Sequence, residues 1–176
     1  MIRRLDVGRL TLRRATIEDE PQILAAVNEL AAEGAQWSYR YRPDLPWAEY
    51  VALVNGWEDG INLPEGFVRH AELVAVVDGE IVGRTSIRFE LNEFLRTIGG
   101  HIGYAVRPPF RRRGHATEIL RQSVEIARAR GISPVLVTCD VNNIGSAKVI
   151  EANGGVLEGI FDGEPGLSQK RHYWLT

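Results

Sequence analysis

The sequence has a single cysteine, Cys139, among its 176 residues. One cysteine cannot form an internal disulfide, so a disulfide framework is excluded and a reducing, cytoplasmic setting is expected. No apolar run approaches the roughly 20 residues that span a bilayer. The basic start of the chain also lacks the apolar stretch of a secretory signal. We therefore expect a cytoplasmic protein with no membrane partner.

The sequence also lacks a large excess of either charge. Lysine and arginine total 21 and aspartate and glutamate 23, which gives a net charge of −2. Proteins built to hold nucleic acid are usually basic overall, so nucleic acid is not an expected partner. The length suits one domain, residues 1–176, with a core of its own.

Two well-known phosphate-binding motifs are absent. Neither G-x-x-x-x-G-K-[ST] nor G-x-G-x-x-G occurs in the chain. What is present is a regular succession of periodic segments. Alternation predicts strands over 10–16, 99–106, 133–141 and 170–176 and a hairpin over 71–91, whereas helical spacing predicts helices over 16–34, 47–57, 116–130 and 146–155.

The order of these segments predicts an α/β fold of the mixed α+β kind. Asp78-Gly79 lies between two apolar β-branched runs and favours a type I′ hairpin turn. The strand–helix–strand unit over 99–141 predicts a mixed sheet with a parallel pair, joined by a right-handed crossover helix.

The stretch "RPPFRRRGHA", residues 107–116, joins a strand to a helix with four arginines and few bulky side chains. The first turn of a helix offers unpaired N–H groups and the positive end of the dipole. Gly114 allows backbone donors to approach an anion closely. The stretch is therefore either a pyrophosphate cradle or a solvated basic loop.

An aromatic segment with several prolines occupies residues 35–70. It either packs in the core or lines a substrate pocket. Its aromatic residues are Trp37, Tyr39, Tyr41, Trp47, Tyr50 and Trp57.

The pattern Arg111-x-x-Gly114-x-Ala116, after the strand end "GYAVRP", resembles the acetyl-coenzyme A loop of the GNAT superfamily of N-acetyltransferases. "VTCDVNNIGSAKVIEANGG" resembles the family's next strand and its Asn-x-x-Ser/Ala helix, with Asn143 and Ser146 at those positions. "RFELNEFLRTIGGHIGYAVRP" and the terminal "RHYW" are similar to a bacterial branch of predicted acetyltransferases. The likeness covers most of the chain and is strongest over 72–156.

The resemblance implies a mostly antiparallel central sheet with a splayed parallel strand pair, flanked by helices, and acetyl-CoA as co-substrate. The pantetheine arm would add to the edge at Tyr104–Val106, and an N–H near Val106 would polarise the thioester carbonyl. The residues implied in cofactor binding are Tyr104, Ala105, Val106, Arg111, Arg112, Arg113, Gly114, His115, Ala116, Thr117, Asn143 and Ser146.

Direct attack of an amine on the thioester needs no covalent enzyme intermediate, and no metal is expected. Glu90 and His101 are the candidate bases, because both lie upstream of the thioester end of the site. The family's usual tyrosine acid falls on Ile150, so the acid is missing or moved. Tyr173 is the candidate substitute, with Tyr104 as a second, and Cys139 is interpreted as packing.

The acceptor is predicted to be a small-molecule or peptide amine. The acidic residues of 35–70 and those around Glu90 and Glu93 would favour a cationic amine. A homodimer is plausible through edge strands at the terminus. Two alternatives remain: a coenzyme A-binding regulatory module without turnover, and a nucleic-acid module that uses Arg111–Arg113.

Overall fold

A computed structural model describes residues 10–38, 41–163, 166 and 168–176 of the chain. The strands are Thr11–Arg13 (β1), His70–Val77 (β2), Glu80–Arg88 (β3), Ile102–Val106 (β4), Val135–Asp140 (β5), Val156–Phe161 (β6) and Lys170–Leu175 (β7). The helices are Glu20–Ala31 (α1), Trp47–Gly56 (α2), His115–Ala129 (α3) and Ile144–Ala152 (α4).

The first sheet contains β1, β2, β3 and β4 in sequence order, and each neighbouring pair is antiparallel. Asp78 and Gly79 form the tight connection between β2 and β3, with φ values of 50° and 84°. Two positive φ values are the mark of a type I′ turn, which matches the right-handed twist of the strands. The predicted hairpin is therefore confirmed.

Helices cover both faces of this sheet. Ile23 of α1 packs in one apolar cluster with Val74, whereas Ile119 of α3 packs in another with Ala75. Because neighbouring residues of a strand point to opposite faces, α1 and α3 lie on opposite sides of the sheet. Burial of a side chain such as Ile23 or Ile119 stabilises the fold by roughly 1.5–3 kcal/mol.

The second sheet has the order β5, β7, β6 and is also antiparallel. Ile150 of α4 and Tyr173 of β7 are fully buried in the cluster that covers it. Strand β6 was not predicted from the sequence. Its apolar residues, Val156, Leu157, Ile160 and Phe161, occur in adjacent pairs, so the sequence lacks the alternation that indicates a half-buried strand. In the structure they lie at the sheet edge and are 42–69% exposed.

Strands β4 and β5 lie side by side at a junction that we call the seam. His101, directly before β4, donates its N–H to the Leu136 carbonyl at 2.7 Å. Leu136 N in turn donates to His101 Nδ1 at 2.9 Å. Beyond this point the described parts of β4 and β5 form no ladder. The expected mixed, mostly antiparallel fold with a splayed strand pair is confirmed, and because β4 and β5 pair only at this point, the described strands form two antiparallel sheets.

Several predicted boundaries shift. The first strand, expected over 10–16, is limited to β1, and the helix expected from Thr16 begins with a 3-10 turn, Ile17–Asp19. The Asp19 carboxylate is the cause, because it binds the Arg13 guanidinium at 2.6 Å and accepts from Thr16 N at 2.8 Å. That pair ends the strand and fixes the turn.

Some of the predictions fall on residues that the structure does not describe. One of these is Tyr39 of the aromatic segment. Within the described residues, no helix has both the length and the apolar character needed to cross a bilayer.

Candidate functional site

A cleft of about 850 Å³ opens at the carboxyl end of β4. Its walls come from the end of α1, from β4, from the loop between β4 and α3, and from the first turns of α3 and α4. All the residues implied in cofactor binding line it except Arg113: Tyr104, Ala105, Val106, Arg111, Arg112, Gly114, His115, Ala116, Thr117, Asn143 and Ser146.

The start of α3 supplies backbone donors to this cleft. Glu118 is the first residue to donate its N–H within the helix, to the Gly114 carbonyl at 3.2 Å. The N–H groups of His115, Ala116 and Thr117 therefore have no intrahelical partner and lie at the positive end of the helix dipole. An anion in the cleft can accept hydrogen bonds from them.

The loop before α3 turns through two residues with left-handed backbone. Arg112 has a φ of 63° and Gly114, the residue that precedes α3, has a φ of 86°. Glycine adopts this conformation without the steric cost of a Cβ. Alternation of left- and right-handed residues brings successive N–H groups together in a concavity that suits phosphate.

His115 carries a buried polar atom that the protein leaves unpaired. Its side chain lines the cleft, and within the described chain its Nδ1 has no hydrogen-bond partner. Burial, with the nearby Arg113 charge, lowers the pKa of this imidazole, so the ring is neutral at pH 7. An unpaired ring nitrogen in a cleft wall is explained by a bound group or water. The cleft therefore fits a phosphate-bearing ligand.

The arginines of the basic stretch have different structural roles. Arg107 is 7% exposed and binds the Glu29 carboxylate through Nε and Nη2 at 2.8 and 2.7 Å. Arg111 pairs with Glu33 at 2.7 Å, and Arg113 Nη2 donates to the Pro109 carbonyl at 3.0 Å. Because glutamates neutralise Arg107 and Arg111, the stretch does not form the continuous basic surface that a nucleic-acid module needs.

The edge of β4 that faces the cleft has backbone groups available for a ligand. Arg107 N donates to the Val82 carbonyl of β3 at 2.9 Å. Alternate residues of an antiparallel strand direct their N–H and C=O to opposite edges, so those of Tyr104 and Val106 point away from β3. Arg111 Nε already binds the Val106 carbonyl at 3.1 Å, which leaves the Val106 N–H for a ligand.

The first turn of α4 closes the other wall. Asn143 caps this helix, with Oδ1 accepting from Ser146 N at 3.0 Å. The Ser146 hydroxyl lies 2.8 Å from the Tyr104 hydroxyl. Burial raises the pKa of Tyr104 to about 12 and also raises the pKa of Cys139, so both groups keep their protons at pH 7.

A family model described as an acetyltransferase (GNAT) domain matches residues 9–156, a range that includes β4, the basic loop, α3 and α4. The chain belongs to the GNAT acetyltransferase family. GNAT enzymes take their acyl group from acetyl-CoA, so the chain is an acetyl-CoA-dependent acyltransferase. No curated protein matches it.

Solved structures of acetyltransferases have the same fold. The microcin C7 self-immunity acetyltransferase MccE, in complex with acetyl-CoA and AMP, is 15% identical with a TM-score of 0.69, over 95% of this chain and 92% of that one. A ribosomal-protein-alanine N-acetyltransferase from Brucella melitensis is 21% identical with a TM-score of 0.63, over 94% and 98%. A GNAT-family acetyltransferase from Streptococcus pneumoniae is 18% identical with a TM-score of 0.63, over 95% and 99%.

None of the three candidate catalytic residues of this GNAT enzyme lines the cleft. His101 is 8% exposed, and its Nδ1 accepts from Leu136 N. Burial first, and then the charges of Arg88 and Arg96, lower its pKa to about 4. Since Nδ1 is the acceptor, the neutral ring carries its proton on Nε2, so neither nitrogen is placed to take a proton from an amine.

The other two candidates lie apart from each other. Glu90 is exposed, two residues beyond the end of β3. Tyr173 is fully buried in the second sheet, where its hydroxyl donates to Glu151 Oε1 at 2.9 Å. Ile150, at the position of the usual family tyrosine, is fully buried as well. Tyr104 is thus the candidate tyrosine that reaches the cleft.

Sequence reasoning missed part of the cleft. Leu30, Ala35 and Gln36 reach it from the end of α1, some seventy residues before β4 in the sequence. No motif marks them, because only tertiary packing brings them there. Lys148 and Val149 could have been found, since they lie on α4 within two turns of Asn143.

The acidic residues expected near the acceptor also have different roles. Glu58 binds both Arg14 and Arg130, so its charge is neutralised within the protein. Glu93 lines a second cavity, of about 610 Å³, together with Asp162 and the exposed ring of Phe94. Only this second cavity combines expected acidic charge with open space among the described cavities.

Proposed function

We propose that this GNAT enzyme is an N-acetyltransferase that moves the acetyl group of acetyl-CoA to the primary amine of a small molecule or peptide. The observation that carries the proposal is the juxtaposition of the α3 N-terminus with the open edge of β4 in one cleft. One end of the cleft binds phosphate oxygens through backbone N–H groups, and the other binds an amide-bearing arm as an added strand.

The binding roles follow from that geometry. The N–H groups of His115, Ala116 and Thr117 receive the pyrophosphate, with Arg112 as the cationic side chain on the same wall. Asn143 binds the pantetheine arm from α4. Its side-chain oxygen already caps the helix, so the amide nitrogen is the group that serves the ligand.

The chemical step is a direct displacement. The neutral amine attacks the thioester carbon, a C–N bond forms, and the carbonyl oxygen becomes an oxyanion that accepts the Val106 N–H. The C–S bond then breaks, coenzyme A leaves as a thiolate, and the nitrogen loses a proton to water. No enzyme atom is covalently changed.

Tyr104 stabilises the leaving thiolate. Because burial holds its pKa at about 12 and a thiol titrates near 8.5, full proton transfer from Tyr104 to the thiolate is uphill. The phenol therefore donates a hydrogen bond, and the thiolate takes its proton from solvent. Ser146, 2.8 Å from the Tyr104 hydroxyl, orients that group.

Glu90 is the candidate base that the geometry favours over His101. Its carboxylate is exposed and can take a proton through water, whereas the nitrogens of His101 are committed to the seam. Replacement of Glu90 by Gln then lowers kcat and leaves acetyl-CoA affinity unchanged.

The experiment is calorimetric titration with acetyl-CoA and with coenzyme A, followed by thiol release in the same buffer against a panel of amines. Binding with release on an amine establishes the activity and its acceptor class. Binding without release on any amine favours the regulatory module, and no binding overturns the proposal.

A further inference from the structure

The charge of the cleft at the end of β4 is one-sided. Among the described residues, Arg111, Arg112 and Lys148 line the cleft, and no aspartate or glutamate does. The whole chain, in contrast, has a net charge of −2. Positive charge is therefore concentrated in the cleft that is proposed to bind the cofactor phosphates.

Two of these three cations are not neutralised by the protein. Arg111 pairs with Glu33 at 2.7 Å, whereas Arg112 and Lys148 make no ion pair with any carboxylate in the described part of the chain. Arg112 is the cationic side chain proposed beside the pyrophosphate. Lys148 is the remaining cation of the cleft.

Lysine is rare in this protein. Only two of its 21 lysines and arginines are lysines, Lys148 and Lys170. Lys170 binds the Asp140 carboxylate. Glu151, the one acidic residue of α4, accepts from the Tyr173 hydroxyl at 2.9 Å. Lys148 is therefore the lysine whose ammonium has no partner within the described residues.

Helix α4 runs along the wall of the cleft from the open edge of β4 to the start of α3. In its first turn, the Ser146 hydroxyl lies 2.8 Å from the Tyr104 hydroxyl. Directly after its last turn, Asn153 Nδ2 donates to the Thr117 carbonyl at 3.2 Å. Thr117 also has one of the three N–H groups of α3 that lack an intrahelical partner. Lys148 lies on α4 between these two contacts, so the helix places it between the strand edge and the phosphate-binding helix end.

We propose that Lys148 binds a phosphate group of acetyl-CoA from α4, with Arg112 as the second cation on the loop before α3. This inference rests on the proposed placement of the cofactor in the cleft. Acetyl-CoA has a pyrophosphate and a ribose 3′-phosphate, and the two share the chemistry that an ammonium recognises. An ammonium binds phosphate as a point charge with three rotatable donors, so it does not need the planar match of a guanidinium.

The neighbour of Lys148 on α4 fits the rest of this ligand. Ile144 lies one turn earlier on the same face of the helix, lines the cleft and is 51% exposed. A nucleotide presents a flat base beside its charged phosphates. This face of α4 therefore offers an apolar contact and a cation to the two parts of one ligand.

The first test uses the wild-type protein and its two lysines. An N-hydroxysuccinimide ester labels the amines, and mass spectrometry of the digested protein measures the labelling rates of Lys148 and Lys170. We expect acetyl-CoA at about 100 times its Kd to slow the labelling of Lys148 about tenfold or more, because nearly every site is then occupied. Lys170 does not line the cleft and should be labelled at an unchanged rate.

Two further ligands identify the phosphate that Lys148 binds. S-acetyl-pantetheine has no phosphate, so at the same occupancy it should not slow the labelling of Lys148. 3′-Dephospho-acetyl-CoA keeps only the pyrophosphate. If it protects Lys148 as well as acetyl-CoA does, the group is the pyrophosphate, and if it does not protect, the group is the 3′-phosphate.

Calorimetry of variants measures the contribution of Lys148 to affinity. We expect Lys148→Gln to lower acetyl-CoA affinity about tenfold at low salt, and the difference from the wild type to shrink at high salt. Lys148→Arg keeps the charge and should retain most of the affinity. Arg121→Gln is the matched control, because Arg121 is an exposed arginine of α3 that pairs with Glu118 and Glu125, and its loss should leave the affinity unchanged.

Three results overturn the inference: acetyl-CoA binds but leaves the labelling of Lys148 unchanged, S-acetyl-pantetheine slows it as much as acetyl-CoA does, or Lys148→Gln binds acetyl-CoA as tightly as the wild type. These results are distinct from failure of the proposed function. That failure would appear as no binding of acetyl-CoA to the wild type in calorimetry, or as absence of thiol release with every amine.

Discussion

The two ends of the seam between β4 and β5 are built in opposite ways. At the closed end, His101 satisfies both backbone groups of Leu136, one through its N–H and one through its ring. At the open end, Tyr104 and Val106 face a cleft of about 850 Å³, and no strand in the described part of the chain pairs with the edge that faces it.

The comparison shows that β4 and β5 are joined at one end and separated at the other. The unpaired backbone of β4 is therefore limited to the part that faces the cleft. At the closed end, His101 binds Leu136, and the pairing of β4 with β5 stops there. At the open end, the buried Arg107 directly follows β4 and fixes the point at which the chain leaves the sheet. The backbone between them is then available to a ligand.

Gly114→Glu should give the largest effect. A side chain at a φ of 86° is strained, and a carboxylate at the start of α3 repels phosphate. We expect acetyl-CoA affinity to fall at least about 100-fold in calorimetry.

Gly131→Glu is the matched control for that variant. Gly131 follows the other end of the same helix with a φ of 81°, and a Cβ there meets no atom within 4 Å. It carries a similar strain but no ligand. Equal affinity of the two variants would contradict the placement of the pyrophosphate.

Arg107→Ala tests whether the open end depends on a structural anchor. Besides Glu29, this side chain binds the Ile81 carbonyl at 2.8 Å, so its removal leaves a carboxylate and a carbonyl unpaired. We expect a loss of about 3 kcal/mol in the free energy of unfolding, measured in urea. Arg121→Ala, which removes an exposed pair, should cost less than about 1 kcal/mol.

His101→Asn tests the closed end through pH. The pKa of His101 is lowered in the fold from 6.5 to about 4, so its neutral form contributes stability above pH 6.5. That contribution is lost as pH falls from 6.5 towards 4, by about 3 kcal/mol. The asparagine oxygen still accepts from Leu136 N but does not titrate.

Urea unfolding of both proteins between pH 4 and pH 8 measures this contribution. The variant should lose less stability than the wild type on acidification, and the two should be nearly equal above pH 7.5. Parallel curves would mean that the seam does not depend on neutral His101.

Tyr104→Phe should give the smallest change, about a tenfold fall in kcat with acetyl-CoA affinity unaltered. Tyr173→Phe is its matched control, because that hydroxyl binds Glu151 away from the cleft. Thiol-release kinetics separates the two. An equal fall in both would contradict the role of Tyr104.

The sequence predicted that the end of β4 and the loop before α3 would share a site, and both line the cleft, because this wall depends on backbone conformation and small residues. Gly114 lies directly before α3 and Ala116 in the first turn of that helix, as the loop pattern predicts, and Asp78-Gly79 specifies its turn by itself. The resemblance to the family extended the predicted site to Asn143 and Ser146. A binding site that is built from backbone groups therefore leaves a recognisable pattern in the sequence.

The roles of individual polar side chains were not predictable in the same way. Arg84 and Glu72 look like ordinary polar residues of alternating strands, and only the paired strands show that both face α1. His101 was a candidate base because its ordinary pKa suits catalysis, but burial at the seam removes that property. Burial and non-local pairing decide such roles, and neither is visible in sequence spacing.

The single cysteine gives the protein one natural site at which thiol labelling can be measured. Cys139 lies on β5 in an apolar core cluster, 7% exposed, and no other thiol exists in the chain. A thiol reagent added to follow coenzyme A release meets little background from the folded enzyme. The rate at which a maleimide labels Cys139 would instead report how often this part of the core opens.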